Sequence, residues 1–366
     1  MRIVVTGGGT GGHVFPALET ALGARDQGWD VSYYGSHRGQ EGGVCEKANL
    51  DFKGFPSQPI YKIYTPAGLK AVLQLLKASK LARRALDDLR PHCVFSTGGY
   101  SSAPVVQAAK RLGIPFVIHE QNSVPGRTNK MMSQYAYRVC TVFFAAVNHF
   151  PNGKVVRTGL PVRSELRQEG QGRLSLDGAW IPDAKPTILV MGGSQGSAAL
   201  NDVAFSTALR MTRDPMQWIH LTGTKHFEAA MKSKDNLGVK GDYDVRAFLD
   251  ATQMGEVLFA STLAVCRSGA GTLSELAAFR KPSVLIPYPH AHAQHQLHNA
   301  KEFEAMGAAE VIEQSNLHAD GLEGRILSWL HDKERMEHAQ KALAEWDILD
   351  SVPRILSVLQ EAASKP

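Results

Sequence analysis

Ile3-Val4-Val5-Thr6-Gly7-Gly8-Gly9-Thr10-Gly11-Gly12-His13 is the stretch whose reading decides the fold. A short apolar run breaks into glycine, and a helical pattern follows from Val14 onward. Strand, tight glycine turn and helix start, in that order, make an anion site. The free amides of the turn and the positive end of the helix dipole point at the same place. The same grammar returns three times. Cys93-Val94-Phe95-Ser96-Thr97 runs into Gly98-Gly99-Tyr100-Ser101-Ser102 and a helix to Leu112, with Ile114-Pro115-Phe116-Val117-Ile118 as the next strand. Thr187-Ile188-Leu189-Val190-Met191 runs into Gly192-Gly193-Ser194-Gln195-Gly196-Ser197 and a helix from Ala198. Leu263-Ala264-Val265-Cys266 runs into Arg267-Ser268-Gly269-Ala270-Gly271, a helix through Phe279 and the strand Ser283-Val284-Leu285-Ile286.

Apolar strands alternating with helices predict parallel sheets with right-handed crossovers. Two such units precede residue 150 and two follow residue 185. The expected architecture is therefore α/β: two Rossmann-like domains, residues 1–162 and 163–345, with a boundary in the Pro-, Gly- and charge-rich stretch 159–186. Ligands in such folds lie at the carboxyl ends of the strands. Parallel sheets facing across a cleft would gather the four loops around one site. Residues 346–363 read as one more helix, through Ile348, Leu349, Val352, Ile355, Leu356 and Leu359.

The 366 residues suffice for two domains, and 43% hydrophobic with 20% charged residues is ordinary for a globular chain. No apolar stretch reaches the roughly 20 residues of a membrane-spanning helix. A start that runs straight into a strand predicts no signal peptide. Cys45, Cys93, Cys140 and Cys266 are scattered without metal-ligand spacing, so reduced buried thiols are expected. The net charge of +5 suits an anionic ligand or an anionic membrane surface. It is diffuse and accompanied by no nucleic-acid-binding motif, so no nucleic acid partner is expected.

Gly7, Gly9 and Gly12 satisfy G-x-G-x-x-G, but the carboxylate that holds a dinucleotide's ribose about 20 residues on is missing. Val31-Ser32-Tyr33-Tyr34 ends in Gly35-Ser36-His37, which argues against a nicotinamide or flavin cofactor; no cofactor is expected. His13 falls in the first helical turn. The helix start lowers the pKa of an imidazole there and favours the neutral form that acts as a base. Arg163 follows a rigid Pro turn, where a guanidinium either grips two phosphate oxygens or lies on the surface. Glu275, about one turn into the fourth helix, either compensates the dipole or accepts hydrogen bonds from ribose hydroxyls. Pro287-Tyr288-Pro289-His290-Ala291-His292-Ala293-Gln294-His295-Gln296 carries three histidines but no interleaved Cys or carboxylate, and reads as a sugar-contacting loop without metal. Asp242-Tyr243-Asp244 spells D-x-D but lacks an apolar strand, and reads as a surface turn. No Walker lysine motif occurs.

Taken together, five blocks resemble the MurG family of bacterial peptidoglycan glycosyltransferases. They are Gly7-Gly8-Gly9-Thr10-Gly11-Gly12-His13-Val14-Phe15-Pro16, Gly98-Gly99-Tyr100-Ser101-Ser102-Ala103-Pro104, His119-Glu120-Gln121-Asn122, Gly192-Gly193-Ser194-Gln195-Gly196 and Arg267-Ser268-Gly269-Ala270-Gly271-Thr272-Leu273-Ser274-Glu275. The resemblance implies a GT-B fold with a last helix returning to the first domain. It implies inverting, metal-independent transfer of N-acetylglucosamine from UDP-N-acetylglucosamine to the 4-hydroxyl of an undecaprenyl-linked muramyl-peptide acceptor. It also implies peripheral attachment at the cytoplasmic face of a bacterial cell membrane. Carried over by position, the donor site falls on Thr10, Gly11, Gly12, Asn122, Arg163, Ser194, Leu249, Ala270, Gly271, Thr272, Leu273, Ser274, Glu275 and Gln296, with Glu275 on the ribose. His13 is the implied general base. Leu160 stands where family members commonly have Asn, and Ala293-Gln294 where many are acidic. Another lipid-directed GT-B glycosyltransferase, an epimerase on the same scaffold, and a non-catalytic nucleotide-sugar-binding membrane protein are the competing readings.

Leu69, Val72, Leu73 and Leu76 share one helical face beside Lys70, Lys77, Lys80, Arg83 and Arg84. Such a stripe either packs on the sheet or lies on anionic lipid. The second reading places membrane attachment at residues 60–76.

Overall fold

Apolar runs and the turns that interrupt them set the strands. The computed structural model describes residues 1–59, 64–163, 166, 185–193, 196–214, 216–239 and 242–364. Its first sheet contains β1 (Arg2–Gly7), β2 (Asp30–Ser36), β3 (Asp51–Phe55), β4 (Cys93–Gly98), β5 (Phe116–Glu120), β6 (Arg138–Thr141) and β7 (Val155–Arg157). The order is β3-β2-β1-β4-β5-β6-β7, every pairing parallel. Ile3, Val4 and Val5 are all fully buried, as a strand covered on both faces requires. Val5 sits between Tyr33 of β2 and Phe95 of β4. The helices are α1 (Gly11–Asp26), α2 (Glu41–Lys47), α3 (Pro66–Leu89), α4 (Ala103–Leu112) and α5 (Arg127–Met132).

The second sheet contains β8 (Thr187–Met191), β9 (Gln217–Leu221), β10 (Tyr243–Arg246), β11 (Leu263–Cys266), β12 (Ser283–Leu285) and β13 (Ala309–Val311), in the order β10-β9-β8-β11-β12-β13, again parallel. Its helices are α6 (Ala198–Arg210), α7 (Phe227–Leu237), α8 (Ala251–Ala260), α9 (Ala270–Ala278), α10 (His295–Ala305), α11 (Ala319–His331) and α12 (Lys333–Trp346). The chain divides into two units, Met1–Pro161 with Ile348–Pro366, and Val162–Asp347.

Each sheet reverses strand order once, between β1 and β4 in the first unit and between β8 and β11 in the second. At such a reversal the loops leaving the strand ends diverge and open a crevice. The four glycine turns of the sequence leave β1, β4, β8 and β11, so each pair of turns lies at its own sheet's reversal.

The C-terminal helical pattern is interrupted. Helix α12 stops at Trp346, Leu349 is 78% exposed, and α13 runs Ser351–Ala363. Ile355, Leu356 and Leu359 of α13 then enter the first unit's core beside Ala17, Ala21 and Ala24 of α1. Small residues on α1 let the two helices approach. Each buried Leu or Ile contributes about 1.5–3 kcal/mol, and Leu359→Ala would cost about 2–5 kcal/mol.

Two further expectations are corrected. The D-x-D segment is no surface turn: Tyr243 and Asp244 belong to β10, an edge strand pairing with β9. Their charges are used locally, Asp242 by Lys185 and Asp244 by Arg246. The first helix starts at Gly11, three residues before the apolar pattern, so Gly11 and Gly12 are its first turn. All four cysteines are free and buried.

Helix α3 settles where its stripe faces. Its buried side is made of Gly68, Ala71, Ala78, Ser79, Ala82, Ala85 and Leu86, mostly small side chains that allow close packing on α4. Leu69, Leu73 and Leu76 are 59%, 59% and 57% exposed. Residues 60–63 lie outside the described residues. No helix among the described residues is long and apolar enough to cross a membrane.

Candidate active site

In the first unit, β1 delivers Gly7 to a turn whose polar groups are largely used inside the protein. Tyr33 Oη donates to Gly7 O at 2.6 Å, and Gly8 N donates to Gly98 O at 3.3 Å. Gly9 N donates to Glu41 Oε1 at 3.2 Å. The β1 and β4 turns touch backbone to backbone. Gly99 has φ +87°, and a Cβ there would collide with Gly8 O, so only glycine fits.

Thr10 is the N-cap of α1, yet its side chain makes no capping bond. Its Oγ1 instead meets His13 Nδ1 at 3.1 Å. When Nδ1–H donates to Thr10, the ring's lone pair is on Nε2, which is the tautomer a base needs. Thr97 Oγ1 from the β4 turn donates to His13 O at 2.8 Å and fixes the backbone beneath the ring. The first-turn amides of Gly11 and Gly12 have no partner among the described residues.

The His-Glu-Gln-Asn block ends β5 and is an internal scaffold. Glu120 is fully buried and accepts from Asn122 N (3.0 Å), Gly126 N (3.0 Å) and Asn129 Nδ2 (2.9 Å). Burial raises its pKa, and those donors oppose the rise. His119 meets Gly159 O through Nε2 at 2.9 Å, and burial pulls its pKa down to about 4, so the ring is neutral. Asn122, a predicted donor contact, is thereby held at the strand's carboxyl end. Sequence reasoning assigned no role to Glu120 or Asn129; a carboxylate beside two amide side chains was the available signal.

In the second unit, α9 starts at an uncapped Gly269. The amides of Ala270, Gly271 and Thr272 have no partner among the described residues, and the positive end of the dipole sits there. Glu275 lies on the next turn. Its Oε1 receives Arg163 Nη2 at 3.2 Å, a pair joining residues 112 apart, with side chains 19% and 24% exposed. Burial raises the Glu275 pKa, and the Arg163 guanidinium counters it. Ser274 Oγ is buried without a partner among the described residues.

Arg267 braces this crevice from below. It donates to Ile286 O, Pro287 O, Ser197 Oγ and Gln314 Oε1, at 2.6–3.1 Å. It thus ties the start of α6 to the turns after β12 and β13. Ser268 Oγ donates to Gln296 O at 2.8 Å, and Gln296 Oε1 accepts Tyr288 N at 2.9 Å. Gln296 therefore presents its amide nitrogen, while Ala293 and Gln294 before it hold φ of +50° and +53°. Left-handed backbone at two consecutive non-glycine residues is strain of the kind that gathers at functional loops. Leu249 is buried in the turn between β10 and α8, so a ligand there meets only its backbone. Ser194 lies outside the described residues. His295 Nδ1 donates to His292 O at 2.8 Å, an internal use for the histidine loop.

The structure thus collects the predicted residues into two sets. Thr10, Gly11, Gly12, His13 and Asn122 belong to the first unit, and Arg163, Leu249, residues 270–275 and Gln296 to the second.

The chain matches the glycosyltransferase family 28 N-terminal domain over residues 3–141 and its C-terminal domain over residues 187–352. A UDP-N-acetylglucosamine--N-acetylmuramyl-(pentapeptide) pyrophosphoryl-undecaprenol N-acetylglucosamine transferase of Oenococcus oeni is 39% identical over 97% of this chain and 96% of its own. The protein of the same name from Bacillus licheniformis is 37% identical over 99% of this chain and 98% of its own. The crystal structure of Acinetobacter baumannii MurG superposes with a TM-score of 0.78 at 29% identity, covering 98% of this chain and 99% of that one.

Proposed function

The chain belongs to the MurG family of glycosyltransferases, and on that premise we propose that it moves N-acetylglucosamine from UDP-N-acetylglucosamine to the 4-hydroxyl of an N-acetylmuramyl-peptide diphospho-undecaprenol. The observation that carries the reading is the second unit's α9 start. Three unpartnered amides stand one turn from a carboxylate and a guanidinium, which is the chemistry a ribosyl diphosphate calls for.

The second unit holds the donor. Glu275 accepts from the ribose hydroxyls, while the amides of residues 270–272 and Arg163 take the charge that grows on the diphosphate as it leaves. Ser194, the Leu249 backbone and the Gln296 amide complete the contacts. The first unit supplies the base. His13 Nε2 takes the proton of the acceptor hydroxyl as its oxygen bonds to the anomeric carbon. The bond from that carbon to UDP breaks on the opposite face, so the configuration inverts. Thr10, Gly11, Gly12 and Asn122 position the reacting groups.

The acceptor lies in a bilayer, and the outward leucines of α3 with Lys70, Lys77 and Lys80 are the surface we assign to it. Attachment is peripheral, at the cytoplasmic face. A transfer assay with radiolabelled donor and lipid-linked muramyl acceptor tests the function. Label must enter the lipid product at a rate unchanged by EDTA. UDP release with the sugar passed only to water would contradict it.

A further inference from the structure

One buried carboxyl group of the first unit is unused by the mechanism above. Glu41 opens α2, and its side chain is fully buried. The carboxylate lies where two glycines leave room for it: a Cβ on Gly8 or on Gly39 would fall onto its oxygens. A Cβ on Gly35 would come within 3.2 Å of its stem. One oxygen accepts the Gly9 amide at 3.2 Å. The other, Oε2, has no hydrogen-bond partner among the described residues, and neither has Ser101 Oγ on the same side of Gly8. Removing a carboxylate from water with so few partners is expensive. The fold nevertheless reserves the space of three glycines for it.

We propose that Glu41 is the resident anion of the first glycine turn, a positioning carboxylate that locks residues 7–9 so that Thr10 and His13 meet. Gly7 O, Gly8 N and Gly9 N are then all taken from inside, by Tyr33, Gly98 and Glu41. The turn has no flexible joint left before Thr10, whose Oγ1 orients the imidazole. The amide of Gly9, which a phosphate would otherwise seek, is already occupied. The glycines at 8 and 39 thus serve an internal carboxylate rather than a ligand. Glu41 acts through His13 and touches no substrate, so the inference rests on the reading of His13 as the base.

The test is a mutant cycle read as kcat and donor KM on the full chain. Glu41→Ala is expected to lower kcat about 100-fold, the scale of a base displaced by an ångström. Donor KM should stay within about 2-fold, because the interaction lost serves the chemical step. Glu41→Gln keeps an oxygen for Gly9 N–H and should return kcat to within about 10-fold of wild type, since the neutral bond is weaker than the charge-assisted one. In a His13→Ala background, Glu41→Ala should cost less than about 2-fold, because residues that act as one do not add. Equal losses in both backgrounds, or a loss carried by donor KM, would overturn the proposal. Where Glu41→Ala does not fold, Glu41→Asp replaces it. One methylene shorter, it cannot reach Gly9 N–H and must show the same kcat-only loss and the same cycle. A silent His13→Ala would instead remove the base assignment on which the inference rests, so the two failures read differently.

Discussion

At the start of α1 the glycine turn is satisfied from within. Tyr33, Gly98 and Glu41 take the polar groups of residues 7–9, and Thr10 spends its hydroxyl on His13. At the start of α9 the turn itself is open: the amides of Ser268 and Gly269 have no partner among the described residues, and the first-turn amides that follow are unpaired as those of Gly11 and Gly12 are at α1. Gly269 offers no cap, residues 270–272 keep their amides, and the nearest charges, Glu275 and Arg163, are bound to each other. Similar glycine signatures at the same topological position therefore do different work. One turn is closed around an internal carboxylate and leads to an imidazole beside two open helix amides; the other leaves its own amides open as well. Counting glycines does not separate the two, but following each N–H to its acceptor does.

The largest effect that difference predicts is at His13. His13→Ala should reduce kcat about 10³-fold, within the range for a lost general base, with the calorimetric affinity for UDP-N-acetylglucosamine unchanged. Loss of donor affinity instead would erase the division between the two turns.

Next comes acid stability, where the units should behave alike. His119 in the first and His220 in the second are buried and neutral, with pKa values lowered to about 4 and about 3 by desolvation. In the unfolded chain they titrate near 6.5. The unfolded state therefore binds the extra protons, and stability falls as pH drops from 6.5 toward the folded values. The loss by pH 4 is about 3 kcal/mol per histidine. Urea midpoints at pH 7 and pH 4.5 check this: His220→Gln must lose less between the two than wild type does.

Glu275→Ala should raise donor KM about 30-fold, the scale of hydrogen bonds to a charged group, while leaving kcat at saturating donor within a few-fold. A kcat-only loss would move Glu275 into the chemical step and blur the comparison. The smallest effect is at α3. Charge reversal at Lys70 and Lys77 should weaken sedimentation with anionic vesicles at least about 5-fold per charge at low salt. Binding that does not change would take α3 out of the membrane surface.

Much of the fold was legible because strand, glycine turn and helix recur four times, and β1, β4, β8 and β11 stand where those turns placed them. What escaped had a physical reason. β10 is an edge strand with a charged face, so Tyr243-Asp244-Val245-Arg246 shows no apolar run. Helix α13 begins five residues after the pattern starts, because Ile348 and Leu349 continue a period that the backbone leaves. The places of His13 in the first turn of α1 and of Glu275 one turn into α9 were readable from the helical pattern. The pairing of Arg163 with Glu275 was not, since nothing local links residues 112 apart. Glu41 was invisible for a related reason: nothing local in Gly39-Gln40-Glu41-Gly42 links it to Gly8, in the distant turn after β1, which leaves room for the carboxylate.

The most direct test of the central contrast is a titration of the amide-labelled protein with UDP, followed residue by residue by NMR. The amides of Ala270, Gly271 and Thr272 should shift, while those of Gly8 and Gly9 stay in place. A shift at Gly9 as large as that at Gly271 would contradict the account.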